Sequence, residues 1–138
     1  MKIFLMCLFA ANAAFSFSAE SVYEKLLAAN PNVPRLPIVV RSDIYDWCSL
    51  ACTNGTRIYI STELLNLVKN EEELSAIIGH EMAHNMLSGE SEMDADVIGL
   101  DYAVRAGYNK CKAARIMLNY AEDHNHPSGD KRYRNTGC

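Results

Sequence analysis

The fold is decided by the stretch NEEELSAIIGHEMAHNM, residues 70–86. Asn70, followed three residues later by Glu73, is typical of a helix N-terminus in which side chains cap free backbone N–H groups. Apolar residues then recur at the spacing of one helix face: Leu74, Ile77, Ile78 and Met82. The pattern predicts a helix that ends near Leu87.

Two histidines, His80 and His84, lie one turn apart on this predicted helix. Residues four apart share a helix face, so both imidazoles can bind one metal ion. Glu81 then lies beside the metal, where its carboxylate can take a proton from an activated water and pass it to a leaving amine. The alternative is an amphipathic helix that carries two surface histidines and an acid.

A catalytic zinc site needs a third protein ligand. Four acids follow the histidines closely: Glu90, Glu92, Asp94 and Asp96. Glu92 and Asp96 share a helix face with Gly99 and Ala103, whose small side chains allow close packing on the histidine helix. We expect Glu92 to bind the metal and Asp96 to accept the free N–H of a metal-binding imidazole. For Glu90 and Asp94 we expect only a solvated helix start, where acids interact favourably with the helix dipole.

The other periodic segments predict an α+β domain, mainly helical with a small antiparallel sheet and the HExxH active-site helix. Helices are expected at residues 21–29, at about 90–105 and from Asn109 onward, and strands at 38–40 and 57–61. The second of these helices has an apolar stripe of Met93, Val97, Leu100 and Val104. Thr53-Asn54-Gly55 is a turn signal just before the second strand.

Composition indicates one ordinary globular domain. Of the 138 residues, 49% are apolar and 22% are charged, and the formal net charge is −4. Basic residues are scattered except at Lys131, Arg132 and Arg134. We therefore expect no nucleic-acid partner.

The N-terminus has the pattern of a secretory signal peptide. Lys2 precedes an apolar run, residues 3–14, that is short for a membrane span and is followed by small residues. Cleavage is compatible with Ala13, Ser18 or Ala19; we take Ala19, which gives a signal peptide at 1–19 and one domain at 20–138. The alternative is a buried N-terminal helix. We expect an exported protein without a stable membrane span, periplasmic in the first instance, with secretion as the alternative.

Export affects how the cysteines are interpreted. Four remain after cleavage: Cys48, Cys52, Cys111 and Cys138. An even number in an oxidising compartment predicts two disulfides, for which three pairings are possible. We favour Cys48 with Cys52 and Cys111 with Cys138. A zinc site formed by cysteines lacks the paired short spacings that such sites show.

Several segments between residues 45 and 132 occur in the same order as the motifs of one known family. They are TNGTRIYI (53–60), NEEELSAIIGHEMAH (70–84), EMDAD (92–96), IGLDYAVRAGYNKCKA (98–113), and His126-Pro127 with Arg132. Together they resemble the M48 family of gluzincin metallopeptidases, whose patterns include HExxH, E-x-x-A-D and HP-x4-R. The resemblance implies a zincin-like fold.

The resemblance also implies roles for single residues. His80, His84 and Glu92 would bind one zinc ion per chain, Glu81 would be the general base, and Asp96 would hold a ligand in place. His126 would lie near the active site as a catalytic residue that stabilises the transition state or, in some family members, occupies the open metal position.

One departure from the family is the connection between the second histidine and the glutamate ligand. Most members have a long helical insertion there, whereas only residues 85–91 intervene here. The short form resembles the minigluzincins. A connection of this length can still reverse two antiparallel helices.

These observations predict an exported zinc metalloendopeptidase that hydrolyses unfolded or extended polypeptides. We expect such substrates to add to the edge of the sheet near residues 58–60. The alternative is a latent or non-catalytic zinc-binding module that binds misfolded envelope proteins. The sequence leaves the oligomeric state open.

Overall fold

The computed structural model describes residues 17–87, 91–124 and 126–138. Helices dominate this described part of the chain. In chain order the elements are α1 (Ala19–Ala29), β1 (Ile38–Arg41), α2 (Tyr45–Cys48), β2 (Ala51–Thr53), β3 (Ile58–Ser61), α3 (Thr62–Leu67), α4 (Glu71–Met86), α5 (Glu92–Arg105), α6 (Lys110–Ala114), a 3₁₀ helix (Arg115–Asn119) and α7 (Gly129–Asn135). The α+β class predicted from the sequence is confirmed.

The three strands form one mixed sheet in the order β1-β3-β2. β2, which the sequence did not predict as a strand, forms an antiparallel hairpin with β3. The turn between them contains the Thr53-Asn54-Gly55 signal, with Gly55 at a φ of 81°. β1, however, is parallel to β3. The prediction of a wholly antiparallel sheet was therefore wrong. The reason is the connectivity: the chain reverses through α2 into β2 and reverses again in the hairpin, so β3 runs in the direction of β1.

α4 is the central helix of the fold. Asn70 caps it by accepting a hydrogen bond from the backbone N–H of Glu73, with an N···O distance of 2.9 Å. Every residue of α4 from Glu73 to Ala83 is buried, because α1, α5, α6 and the sheet all pack around it. The helix is close to the predicted one in both bounds.

α5 packs on α4 through a face other than the predicted apolar stripe. Val97 and Val104 are each 45% exposed, whereas Leu100 is buried. The buried face instead carries small and polar side chains: Ala95, Asp96, Gly99, Tyr102 and Ala103, together with Leu100. Small residues let the two helices approach, and this rotation turns the valines toward solvent.

Two glycines meet where α4 and α5 cross. A Cβ atom added to Gly99 would lie 2.4 Å from the backbone nitrogen of His80, and one added to Gly79 would lie 2.5 Å from the carbonyl oxygen of Gly99. Real Cβ atoms do not come this close to backbone atoms. The contact confirms the close packing expected at Gly99, and it holds the first turns of α5 against the histidine segment of α4.

The predicted signal peptide, residues 1–19, lies outside the described residues as far as residue 16. Ser18 is the N-cap of α1, and Ala19, the first residue of α1, is 1% exposed. Phe17 packs against the core. Cleavage after Ala19 would remove the cap of α1, whereas cleavage after Ala13 would keep it.

Two disulfides are present, Cys48–Cys52 and Cys111–Cys138. They are the pairing favoured from the sequence. The first joins the end of α2 to the middle of β2, and the second ties the C-terminal residue to α6.

Among the described residues, no helix combines the length and the apolar character that crossing a membrane requires.

Candidate metal centre and active site

His80, His84 and Glu92 converge at the crossing of α4 and α5. Nε2 of His80 lies 3.0 Å from Nε2 of His84. Oε2 of Glu92 lies 3.2 Å from Nε2 of His80, and Oε1 of Glu92 lies 3.2 Å from Nε2 of His84. The two histidines come from successive turns of α4, and Glu92 is the first residue of α5. The structure thus brings together the three predicted ligands.

The spacing of the donor atoms fits a zinc ion, with a different carboxylate oxygen of Glu92 lying 3.2 Å from each imidazole Nε2. In a tetrahedral site with bonds of about 2.0–2.1 Å, neighbouring ligand atoms lie about 3.3–3.4 Å apart. The observed separations of 3.0–3.2 Å are close to that value. Within the part of the chain that the structure describes, these three residues are also the group of histidine, cysteine and acidic side chains that could hold a metal ion.

Asp96 lies behind His80, as expected. Its Oδ1 is 2.8 Å from Nδ1 of His80, and both residues are buried. A proton on Nδ1 is donated to this carboxylate, which leaves the lone pair of Nε2 directed at the metal position. Asp96 therefore sets both the tautomer and the orientation of the imidazole.

Arg132 completes the buried network from α7. Its Nε and one terminal nitrogen donate to the two oxygens of Asp96, each at 2.7 Å. The guanidinium also stacks over the ring of Tyr120, with its central carbon 5.0 Å from the ring centroid, and lies 3.8 Å from Oε2 of Glu92. Arg132 is 3% exposed, so the ion pair that it forms with Asp96 is shielded from water.

The electrostatics of the site favour positive charge between the acids. Burial lowers the pKa of His80, but the carboxylates of Asp96 and Glu92 outweigh it and raise that pKa to about 9. Burial raises the pKa of Glu92, but hydrogen bonds to His80 and His84 outweigh it and hold that pKa well below its usual range. A field that favours an extra proton here would also favour a divalent cation.

Glu81 lines the same cleft from α4 and is 6% exposed. Burial raises the pKa of its carboxyl group, opposed by the nearby imidazoles of His80 and His84. A buried carboxylate with a raised pKa is suited to accept and release a proton near neutral pH.

His126 approaches the triad from the chain between the 3₁₀ helix and α7. Its Nε2 lies 4.0 Å from Oε2 of Glu92. Asp123 holds the opposite side of the ring: its Oδ1 accepts hydrogen bonds from the backbone N–H of His126 at 2.8 Å and from Nδ1 at 2.9 Å. The backbone N–H of Asp123 donates in return to the carbonyl of His126. The segment therefore presents Nε2 of His126 to the centre.

The triad lies at the base of a cleft with a volume of about 620 Å³. One wall consists of α4 and the start of α5. The other wall consists of residues 48–53 together with Tyr120, Ala121, Asp123 and His126.

Sequence reasoning missed two contributors and assigned no role to a third. Asp123 precedes His126 by three residues in a polar segment, and such a pair is a weak signal in a loop. Tyr120, which packs against the core, also lines the cleft beside Arg132. Arg132 was noted only as part of a signature, since its bond to Asp96 joins positions 36 residues apart.

The geometry agrees with a comparison against protein families. The sequence model of Peptidase family M48 matches residues 18–89, just over half of the chain. The chain belongs to this family. No curated protein and no solved structure matches it.

The M48 match covers His80, Glu81 and His84 and ends before α5. Membership makes the chain a metallopeptidase of a zinc-dependent family, with polypeptide as the substrate class. The resemblance seen in the sequence extends to residue 132, beyond the end of the family match. The positions of Glu92, Asp96 and His126 at the site therefore rest on the geometry of the structure.

Proposed function

We propose that this M48 peptidase is an exported zinc endopeptidase with one zinc ion per chain, acting on unfolded or extended polypeptides. The observation that carries the proposal is the convergence of His80, His84 and Glu92 at the base of an open cleft, with the buried carboxylate of Glu81 beside them. Pure metal storage does not require an acid in that place.

The chemistry follows from the residues around the centre. His80, His84 and Glu92 would hold the zinc ion, which would supply a Lewis acid for the scissile carbonyl and would lower the pKa of water to near neutrality. Glu81 accepts the proton from the attacking water and delivers it to the departing amine. His126, when both ring nitrogens are protonated, donates a hydrogen bond from Nε2 to the tetrahedral oxyanion.

The strand that receives substrate differs from the expected one. β3, with Ile58 and Ile60, is the central strand of the sheet, so it has no free edge. β2 is the edge strand on the cleft side. In its antiparallel ladder with β3, Cys52 pairs with Tyr59. The flanking hydrogen-bonded pairs are Leu50 with Ser61 and Asn54 with Arg57.

Hydrogen-bonded pairs alternate along an antiparallel ladder. Since residues 50, 52 and 54 use their N–H and C=O groups toward β3, the groups of Ala51 and Thr53 point to the opposite side. Both residues line the cleft. An extended peptide can add to β2 there through backbone hydrogen bonds, which explains a preference for unfolded chains.

Export is supported by the two disulfides, which form and persist in oxidising compartments. We place the protein in a periplasm, with secretion as the alternative. Edman sequencing of the mature protein from the envelope fraction would report both the cleavage and its position.

The proposal is tested by cleavage of casein with the zinc-loaded wild type and with Glu81→Gln. Loss of the general base should lower kcat by about 10²–10⁴-fold while one zinc per chain remains bound, as measured by atomic absorption. Glu63→Gln, an exposed position on α3, is the matched control and should cleave like wild type. Full activity of Glu81→Gln would remove Glu81 from its role, and a wild type without zinc would reject the metal centre.

A second candidate is the latent or binding module, favoured by the 4.0 Å approach of His126 to Glu92. With Nδ1–H donated to Asp123, the neutral ring of His126 presents a lone pair on Nε2 toward the open position. In that case neither wild type nor Glu81→Gln would cleave casein although both hold zinc, and His126→Ala would gain activity.

A further inference from the structure

The disulfide Cys48–Cys52 is part of the cleft wall that faces the metal centre. Both cysteines line the cleft, as do the three residues between them. Cys48 is the last residue of α2, and Cys52 is the middle residue of β2. The disulfide therefore joins the end of α2 to the strand whose free edge faces the cleft.

The elements that form this wall are short. α2 has four residues and β2 has three, and within the described part of the chain β2 pairs with β3 alone. Tyr45 and Trp47 on α2 are 60% and 57% exposed, so this helix buries little of its aromatic surface. Segments with few buried contacts and short ladders open most easily.

The turn inside the disulfide loop is conformationally demanding. Ser49, between the helix and the strand, has a φ of 65°, which puts a non-glycine residue in the left-handed region. Its N–H donates to the carbonyl of Tyr45, and the carbonyl of Leu50 accepts from Ser61. These bonds set where β2 begins, and the disulfide fastens the ends of the same loop.

From this arrangement we propose that the Cys48–Cys52 disulfide positions the free edge of β2 for binding extended peptide, and so determines KM rather than the chemical step. The bond holds the backbone of Ala51 and Thr53 in the extended form that an incoming strand needs. A preordered edge binds more tightly because less conformational entropy is lost on binding. This inference rests on the proposed function, since it concerns the substrate side of the same cleft.

The chain contains a matched control for this proposal. Cys111–Cys138 closes a larger loop, with a sequence separation of 27, and neither cysteine lines the cleft. Its loss should lower thermal stability without touching the peptide-binding edge. The metal ligands lie on α4 and α5, outside both disulfide loops.

The experiment compares Cys48→Ser/Cys52→Ser with Cys111→Ser/Cys138→Ser in the oxidised, zinc-loaded full chain. An unstructured casein peptide is the substrate. We expect KM to rise about tenfold in the first variant, with kcat within about twofold of wild type and one zinc retained. In the second we expect a lower Tm and an unchanged KM.

A binding measurement separates this inference from the proposed function. The same two disulfide changes are made in Glu81→Gln, and the Kd for the fluorescein-labelled casein peptide is measured by anisotropy. Trp47, the single tryptophan, packs edge-on against Tyr59 at 5.0 Å, so its emission reports order in the wall. We expect Kd to rise about tenfold only when Cys48 and Cys52 are changed.

Each outcome supports or overturns the inference, the proposed function or both. If the wild type does not cleave but the Kd effect appears, the proposed function fails and the inference stands. If the wild type cleaves and neither KM nor Kd changes, or if both double variants change them equally, the inference is overturned. Loss of zinc or of kcat alone in Cys48→Ser/Cys52→Ser would also overturn it, as would the absence of any peptide binding.

Discussion

The two walls of the cleft are built in different ways. The metal wall, α4 with the start of α5, is buried from Glu73 to Ala83 and locked by the Gly79–Gly99 contact. The substrate wall, residues 48–53 with Asp123 and His126, is largely half-buried or exposed. In the proposed function, helices thus hold the metal ligands and the general base, whereas an edge strand and a loop are the parts that would contact the substrate. Damage to the first wall should change metal binding and stability, and damage to the second should change substrate binding or turnover.

The largest effect is expected from Arg132→Met, which removes the cation that pairs with Asp96 behind the metal ligand His80. Removing the guanidinium leaves the buried carboxylate of Asp96 without its cation, and breaking a buried pair in this way costs about 3–5 kcal/mol. Chemical denaturation should show a loss of that size, and zinc should be released to a chelator more easily because His80 loses its fixed partner.

Arg134→Met, exposed on the same helix α7, is the control for Arg132→Met and should unfold within about 0.5 kcal/mol of wild type. Equal stability of the two variants would show that the Asp96–Arg132 pair does not support the metal wall.

A smaller loss is expected from Gly99→Ala. The new methyl group would lie 2.4 Å from the backbone nitrogen of His80, so α5 must shift, and Glu92 shifts with it. We expect a destabilisation of about 1–3 kcal/mol together with weaker zinc binding, measured by denaturation and by titration calorimetry.

Gly107→Ala is the control that separates backbone strain from the displacement of α5. Gly107 has a φ of 92° and open space around its Cα, so the alanine should cost about 1 kcal/mol through the left-handed backbone alone. It should leave zinc affinity unchanged. Tight zinc binding in Gly99→Ala would mean that the glycine contact does not position Glu92.

The contrast between the walls also explains how much the sequence predicted. His80, Glu81 and His84 lie within one helix, so periodicity alone placed them on one element. The four-residue spacing of Glu92 and Asp96 gave the correct face of α5, whereas the apolar stripe through Val97 and Val104 gave a wrong one. Hydrophobicity misled there because the close crossing at Gly99 selects small residues over large ones.

The substrate wall was harder to predict because it depends on long-range pairing. Whether β1 would lie parallel or antiparallel to β3 was decided by the path through α2, a helix of four residues that leaves little periodic signal. The position of β3 as the central strand moved the free edge to β2. Loop contacts such as Asp123 with His126 have no period at all.

The smallest effect is expected in the substrate wall, from Asp123→Asn. The amide keeps the shape of the side chain but weakens the charged hydrogen bond that orients the ring of His126. We expect kcat on casein to fall about fivefold, since such a bond at a half-exposed position contributes roughly 1 kcal/mol. Zinc content and unfolding should stay at wild-type values, because Asp123 is exposed and lies outside α4 and α5, the helices that carry the metal ligands.

Asp130→Asn, exposed in the first turn of α7, is the matched control for Asp123→Asn. If Asp123 acts through His126, then Asp123→Asn combined with His126→Ala should be no slower than His126→Ala alone, because two residues that work as one unit are not additive. Additive losses would assign Asp123 a separate role at the cleft. A rise in kcat in both single variants would instead mean that the pair holds His126 over the open metal position, which would turn the second wall from a substrate site into an inhibitory one.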